Sequence, residues 1–407
     1  MKPISVALLG ISVLECLGST RAAYTIMTIA NCAELQAAAE ATATSGDILG
    51  QLVEAGIVCD DWVNVEVVEN KLKLDGDAGT TYTLEKVRFE VKTGAVLRVE
   101  VPVEFTGGDE MVSGGVAAAV PGFSQTVNGG ALNVEEGATV RFLSSVKMEN
   151  IGVDTVDLDN MVHGGCIYNK GDIRFEGEFY AEACHAVSSI DEYRVALGGN
   201  GAGIWNGIEA QIVFKQAVEM HFCGDWVSPH MHPNFSEPGA DGGAIYTDGK
   251  VSFFEDALFQ NNQGDEGAAL WIGVSGVVKF LKRSKARFLY NSGYGDGGAV
   301  HNKGVLVMRN TAEFNQGRTS FGRGGCIFYG PSAEAVFLKS VEFFGCTTNM
   351  RDGGAIYIDY DNLEFLPQDA TYDSNRIVNN FDGIYKCDTI YVAGDGTGDE
   401  DAYSCLP

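Results

Sequence analysis

The chain has 407 residues, 45% of them hydrophobic, with 55 acidic side chains against 28 basic ones and a formal charge of −27. So much apolar material excludes a disordered polyelectrolyte. The negative charge argues against nucleic acid and anionic membrane surfaces as partners, because both are polyanions, and a polyanionic glycan is expected to be repelled too unless divalent cations bridge the two.

The first residues read as a secretory signal. Lys2 gives the positive start, Ile4 to Leu14 a short apolar run, and Gly18 to Ala23 the small residues that suit cleavage. That run is too short to span a bilayer, and no second long apolar run follows, so no membrane span is predicted after removal of residues 1–22. Cleavage also discards Cys16 and leaves nine of the ten cysteines, an odd number. In an oxidising compartment most of them pair, with one left free or intermolecular.

Residues 23–62 are predicted to form an N-terminal cap. Asn31, with Glu34 three residues later, makes a capping box ahead of LQAAAEATA, which predicts a short helix. Cys32 and Cys59 bracket that helix and are candidates for a tie across it. From Val63 to Phe105 the pattern changes to strict alternation, the mark of strands. Gly107 to Gly122 is a small-residue loop.

A glycine-led phrase then returns eight times: GGALN, GGCIYN, GAGIWN, GGAIYT, GAALWI, GGAVHN, GGCIFY and GGAIYI. It opens at Gly129, Gly164, Gly201, Gly242, Gly267, Gly297, Gly324 and Gly353, spacings of 25 to 41 residues that indicate a repeat array. A second strand phrase follows in most repeats, as in Val140-Arg-Phe142, Ile173-Arg-Phe175 and Val251-Ser-Phe253. Its alternation turns the apolar pair inward and the middle residue out. Phe259-Gln-Asn-Asn262, Phe288-Leu-Tyr-Asn291 and Phe343-Phe-Gly-Cys346 supply a third phrase. Three short strands per repeat predict an all-β fold, a right-handed parallel β-helix (solenoid) over residues 63–380 with a short N-terminal capping helix. Its coils stack about 4.8 Å apart. Such a stack has exposed strand edges at both ends. The predicted cover at the far end is residues 381–407, closed by a Cys387–Cys405 disulfide.

The GGAI…FxxN phrasing resembles the repeats of chlamydial polymorphic outer membrane proteins, and the whole plan resembles the pectin lyase-like superfold. The resemblance runs from about Gly129 to Asn380. It implies a β-helical passenger that displays a long lateral surface, often for adhesion. The alternating C-terminal segments of that family's membrane barrel do not appear, so free secretion is expected.

Pectin lyase-like enzymes carry carboxylates, or an arginine with calcium-bound carboxylates, on one lateral face, and paired acids suit glycoside hydrolysis. The NTD, DD, GHG and RIK series of polygalacturonases is not present, nor is the DPH phrase of alginate epimerases. The nearest double acid in the early chain, Asp60-Asp61, lies outside the repeats. Three other candidates remain. His230 and His232, with His221, Cys223 or Asp225, offer ligands for a transition metal in the long Pro-rich segment that also holds the only N-glycosylation sequon, Asn234-Phe235-Ser236. An exposed glycosylated loop with incidental histidines is the plainer reading.

The residue before each opening glycine gives the next candidate. Asp241, Glu266 and Asp296 become an acidic ladder if coils stack in register, able to bind calcium through oxygen ligands. Arg323 then falls between Asp296 and Asp352 and relieves the repulsion. The alternative is solvated turn acids, and the acidic tail at residues 394–401 reads the same way. The cysteines come last. Cys166 and Cys326 sit at a small buried position, and Cys166–Cys184, Cys326–Cys346 or a cross-coil Cys184–Cys223 are open pairings. Nothing in the sequence places a base beside a nucleophilic thiol. The sequence therefore favours a secreted, non-catalytic β-helix working at an extracellular polysaccharide, cell wall or cell surface. The second reading is a lyase, hydrolase or epimerase on the same scaffold, and the third a structural protein ordered by calcium.

Overall fold

The structure is a computed structural model that describes residues 24–107, 128–155, 162–190, 195–224, 241–281, 285–349, 351 and 353–359, with backbone stretches at 370–373, 376–377, 390–392 and 404–406. The predicted parallel β-helix is present. One face is an eleven-stranded parallel sheet that starts with Thr25–Ile29 beside Ile48–Leu52 and ends at Glu334–Phe337. It carries the V-x-F phrases, with Phe142, Phe175, Phe214, Phe253 and Phe280 in matching register. A second face holds the third phrase, from Val103–Thr106 through Val341–Phe344. The third face holds the strands of the glycine phrase, from Leu132–Val134 through Ile356–Ile358. In later coils a two-residue ladder, including Gln263–Gly264 and Ser292–Gly293, adds a fourth side.

Most strands alternate a buried residue with one turned outward, and four of the glycine-phrase strands, such as Val300–Asn302, are buried throughout, so the core fills from all faces. Aromatic rings stack inside at the pitch of the strands. Phe142, Phe175, Phe214, Phe253 and Phe280 form one column with centroid steps of 5.1, 5.0, 5.1 and 4.6 Å. Phe259, Phe288, Phe314 and Phe343 form another, with steps of 5.1, 4.7 and 5.0 Å. The columns meet edge to face at Phe253 and Phe259. Stacking rings of one size at one spacing leaves no void between coils.

Polar side chains that point inward at the corners bond to their counterparts in the next coil. Asn169 Nδ2 donates to Asn206 Oδ1 (2.8 Å), and Asn206 Nδ2 donates to Thr247 Oγ1 (2.9 Å). At another corner Asn262 Nδ2 donates to Asn291 Oδ1 at 3.0 Å. These ladders satisfy amides that would otherwise be buried at a cost.

The helix Cys32–Ser45 covers the start of the stack, with Asn31 as N-cap accepting from the Glu34 N–H. Glu34 reaches back to the Ala30 N–H at 2.7 Å, one residue earlier than the standard capping box. Leu35, Ala38 and Ala39 are buried in the common core. The Cys32–Cys59 disulfide pins the helix to the long strand Gly56–Val67. At the other end Ser404–Leu406 pairs antiparallel with Ile390–Val392, and the predicted Cys387–Cys405 pairing falls outside the described side chains. The predicted signal segment, residues 1–22, lies outside the described residues as well.

The repeating glycine has a conformational cause. All eight opening glycines adopt positive φ, between 57° and 75°. At Gly297 a Cβ would lie 2.3 Å from the Val300 carbonyl oxygen, so both backbone strain and a collision oppose a side chain. Gly297→Ala should therefore lower stability by more than about 1 kcal/mol, read as a fall in the denaturation midpoint. Phe253→Ala should cost about 3–5 kcal/mol by opening a cavity in the inner column.

Candidate functional site

The residue before each opening glycine is where the sequence concentrates chemically able side chains, and the coil stack gives several of them one task. Asn128 Oδ1 accepts a hydrogen bond from the His163 backbone N–H at 2.7 Å. His163 Nδ1 accepts from the Asn200 N–H at 3.1 Å, which places the imidazole proton on Nε2. Asp241 Oδ1 accepts from the Glu266 N–H at 3.3 Å, and Asp296 Oδ1 accepts from the Arg323 N–H at 2.6 Å. Each side chain thus ties its own corner to the same corner one coil further on. A backbone N–H at a turn needs an acceptor, and Asn, Asp or neutral His can each supply one.

Glu266 departs from this pattern. Its Oε2 accepts from Trp271 Nε1 at 3.2 Å and lies 3.3 Å from His301 Nδ1 and 3.6 Å from Lys303 Nζ. His301 is 1% exposed, and its Nδ1 also lies 3.3 Å from the Asp296 carbonyl oxygen. With acceptors on both sides, Nδ1 carries the proton and donates. The other nitrogen, Nε2, is buried without a partner. Burial pushes the His301 pKa down to about 4, against the pull of Glu266, so the ring is neutral. Burial pushes Asp241 up to about 7, helped by the charges of Glu266 and Asp265. Asp265 rises to about 6 from burial and Glu266, and Asp296 is raised by burial.

The corner residues Asp241, Glu266 and Asp296 do follow one another on successive coils, since the Gly242 N–H donates to Glu266 O and the Gly267 N–H to Asp296 O. Among the described residues no three His, Cys, Asp or Glu side chains converge as ligands for a metal ion. Arg323 sets its guanidinium over the Tyr357 ring at 4.8 Å. His230, His232, Asn234, Asp225 and Asp352 lie outside the described residues. His221 ends the strand Val218–His221 and contacts Glu219 through Nε2 at 3.2 Å. Cys223 is free and buried, its thiol pushed up to about 12 by burial, which suits neither a ligand nor a nucleophile. Asp60 and Asp61 are exposed where the register shifts within Gly56–Val67, away from any cleft with partner acids.

Two of the open cysteine pairings form, Cys166–Cys184 and Cys326–Cys346, each within one coil. Cys223 occupies the corner that Cys184 occupies one coil earlier, but Gly203 stands where its partner would be. A cross-coil Cys184–Cys223 bond is therefore ruled out by the earlier pairing.

A row of stacked rings escaped the sequence reading, with Tyr168, His301, Phe328 and Tyr357 buried and Trp205, Tyr246 and Trp271 half-buried. The middle residue of the glycine-phrase strand is Tyr168, Trp205, Tyr246, Trp271, His301, Phe328 and Tyr357 in successive coils. Tyr168 and Trp205 stack at 4.4 Å and 9°, and Tyr246 and Trp271 at 4.2 Å and 7°. Phe328 and Tyr357 lie 5.4 Å apart at 4°. In these three pairs the ring faces are turned along the stack toward one another. The signal was visible in the phrases themselves, where one position is aromatic seven times.

Compared with protein-family models, with curated proteins and with solved structures, the chain matches none.

The raised Asp241 pKa fixes the sign of a pH effect. In the unfolded chain the group ionises near its ordinary 3.8, and in the folded chain near 7, so its contribution falls as pH rises through that window. His301 works in the opposite direction between about 4 and 6.5, which makes a variant comparison the cleaner reading. Asp241→Asn keeps the acceptor that Asn128 provides elsewhere. It should raise the melting midpoint over the parent at pH 8 and leave it nearly unchanged at pH 4.

Proposed function

We propose that this protein is a secreted, non-catalytic β-helix that presents its lateral faces to an extracellular glycan, wall or cell-surface component. The observation that carries this reading is the engagement of the corner side chains. Asp241 and Asp296, the acids best placed for chemistry, accept backbone N–H groups from the next coil, and the aromatics of the glycine-phrase strands spend their ring faces on one another. Turned outward on the first face, Lys73, Arg98, Arg141 and Arg174 stand in register on four successive coils. Three disulfides suit an oxidising compartment, and among the described residues no helix is long and apolar enough to cross a membrane. The resemblance to pectin lyase-like proteins and to chlamydial polymorphic outer membrane repeats supports a display role on the same architecture, as fold alone does not assign chemistry.

A second reading, a carbohydrate-active enzyme, has one specific observation in its favour. Asp241 and Asp265, with pKa values raised to about 7 and about 6, lie near Glu266, whose carboxylate touches His301 and Lys303. Perturbed acids of this kind suit proton transfer near neutral pH. Incubation of the purified protein with a panel of polysaccharides, with and without calcium, separates the two. The display reading predicts retention on one or more glycans with no new reducing or unsaturated ends. Product that disappears in Glu266→Gln would replace it with the enzymatic reading.

A further inference from the structure

The charge of this chain is unevenly placed. On the first face the outward middle residue is Lys73, Arg98, Arg141 and Arg174 in four successive coils, in direct register. Val213 ends the row in the next coil. Neighbouring cations at the coil spacing, about 4.8 Å, repel by about 0.9 kcal/mol even in water. A chain with 55 acidic and only 28 basic side chains nevertheless stacks four bases here. Internal carboxylates relieve the repulsion only in part. Glu100 lies 2.6 Å from Lys73 and 2.7 Å from Arg98, Asp75 lies 3.2 Å from Lys73, and Glu176 contacts Arg174. Arg141 is exposed and has no ion pair among the described residues. Its own coil carries Leu143 where the flanking coils carry Glu100 and Glu176.

We infer that this basic row, about 14 Å long, binds a linear sulfated glycan. The inference rests on the display reading and names the ligand class for one face. A sulfate group has three acceptor oxygens in a tetrahedral array and can bridge the guanidinium groups of two stacked coils. A carboxylate has only two oxygens, and Glu100 already spends one on Lys73 and the other on Arg98, while among the described residues none reaches Arg141. A sulfate chain laid along the row therefore offers Arg141 the anion it lacks and offsets the repulsion between Arg98, Arg141 and Arg174. The net charge of −27 opposes a polyanion at long range, as the composition leads one to expect, so the attraction is confined to this row, within a screening length of it, and is sensitive to salt.

The test is retention of the full chain on immobilised heparin at low salt, with polygalacturonate, a neutral glucan and double-stranded DNA as parallel supports. The parent should be held by heparin more strongly than by the other three and released by added salt. Arg98→Gln, Arg141→Gln and Arg174→Gln together should weaken heparin affinity by roughly tenfold or more. Arg141→Gln alone, at a position without an ion pair, should weaken it measurably with an unchanged melting midpoint. Lys279→Gln, farther along the same face beyond Val213 and Ser252, should leave it intact. Passage of the parent through heparin while another glycan retains it would overturn the inference and leave the display reading standing. Equal retention on polygalacturonate or DNA would overturn it too, by reducing the row to unselective charge. Retention on no glycan at all would remove both.

Discussion

The backbone hydrogen bonds between coils impose one spacing, about 4.8 Å, and every repeated feature of the molecule has to accept it. Inside, that distance is short enough for aromatic rings to touch face to face, and the two phenylalanine columns step by 4.6 to 5.1 Å in close agreement. At the corners it brings the amides of Asn169, Asn206, Asn262 and Asn291 within reach of their neighbours. Outside, it forces identical positions into rows, so that any choice of residue is made against its counterpart above and below. A charge repeated at one position is costly, and an aromatic repeated there is favourable.

The same constraint explains why the corner acids resemble a reactive site. Asp241 and Asp296 are needed as acceptors for the next coil, but a carboxylate in that position loses water and meets the next carboxylate. Desolvation and like charge raise its pKa. A perturbed acid arises here from the architecture of the turn, with no need for a substrate. Asn128 performs the same backbone task without charge. The excess of acid at this corner is thus a feature that the stack tolerates, and Glu266 turns instead toward Trp271, His301 and Lys303.

Much of the fold was legible in the chain because its causes are local. The opening glycine is read from sequence because the left-handed turn rejects a side chain in every coil, and V-x-F is read because inward and outward positions alternate. The helix from Cys32 to Ser45 announces itself through Asn31 and Glu34. The cysteine pairings were left open because spacing alone does not say which corner each residue occupies. Cys166 and Cys184 meet across one coil, and Cys223 lacks a partner only because Gly203 replaces a cysteine. The corner side chains were read as a possible ladder, but their acceptor role depends on a backbone group 25 to 37 residues away. The contact between Glu266, His301 and Lys303 has the same origin, since it joins two neighbouring coils across 35 or more residues of chain. The basic row on the first face also becomes visible only when four coils are placed in register.

Register is the central claim, and cysteine connectivity reports it most directly. Proteolysis of the unreduced, alkylated protein followed by mass spectrometry of the linked peptides reads that connectivity. The coil register predicts Cys32–Cys59, Cys166–Cys184 and Cys326–Cys346, with Cys223 found as a thiol that becomes accessible to alkylation only on denaturation. A Cys184–Cys223 linkage, or Cys166 joined to Cys326, would require a different stacking of the coils and would contradict the account.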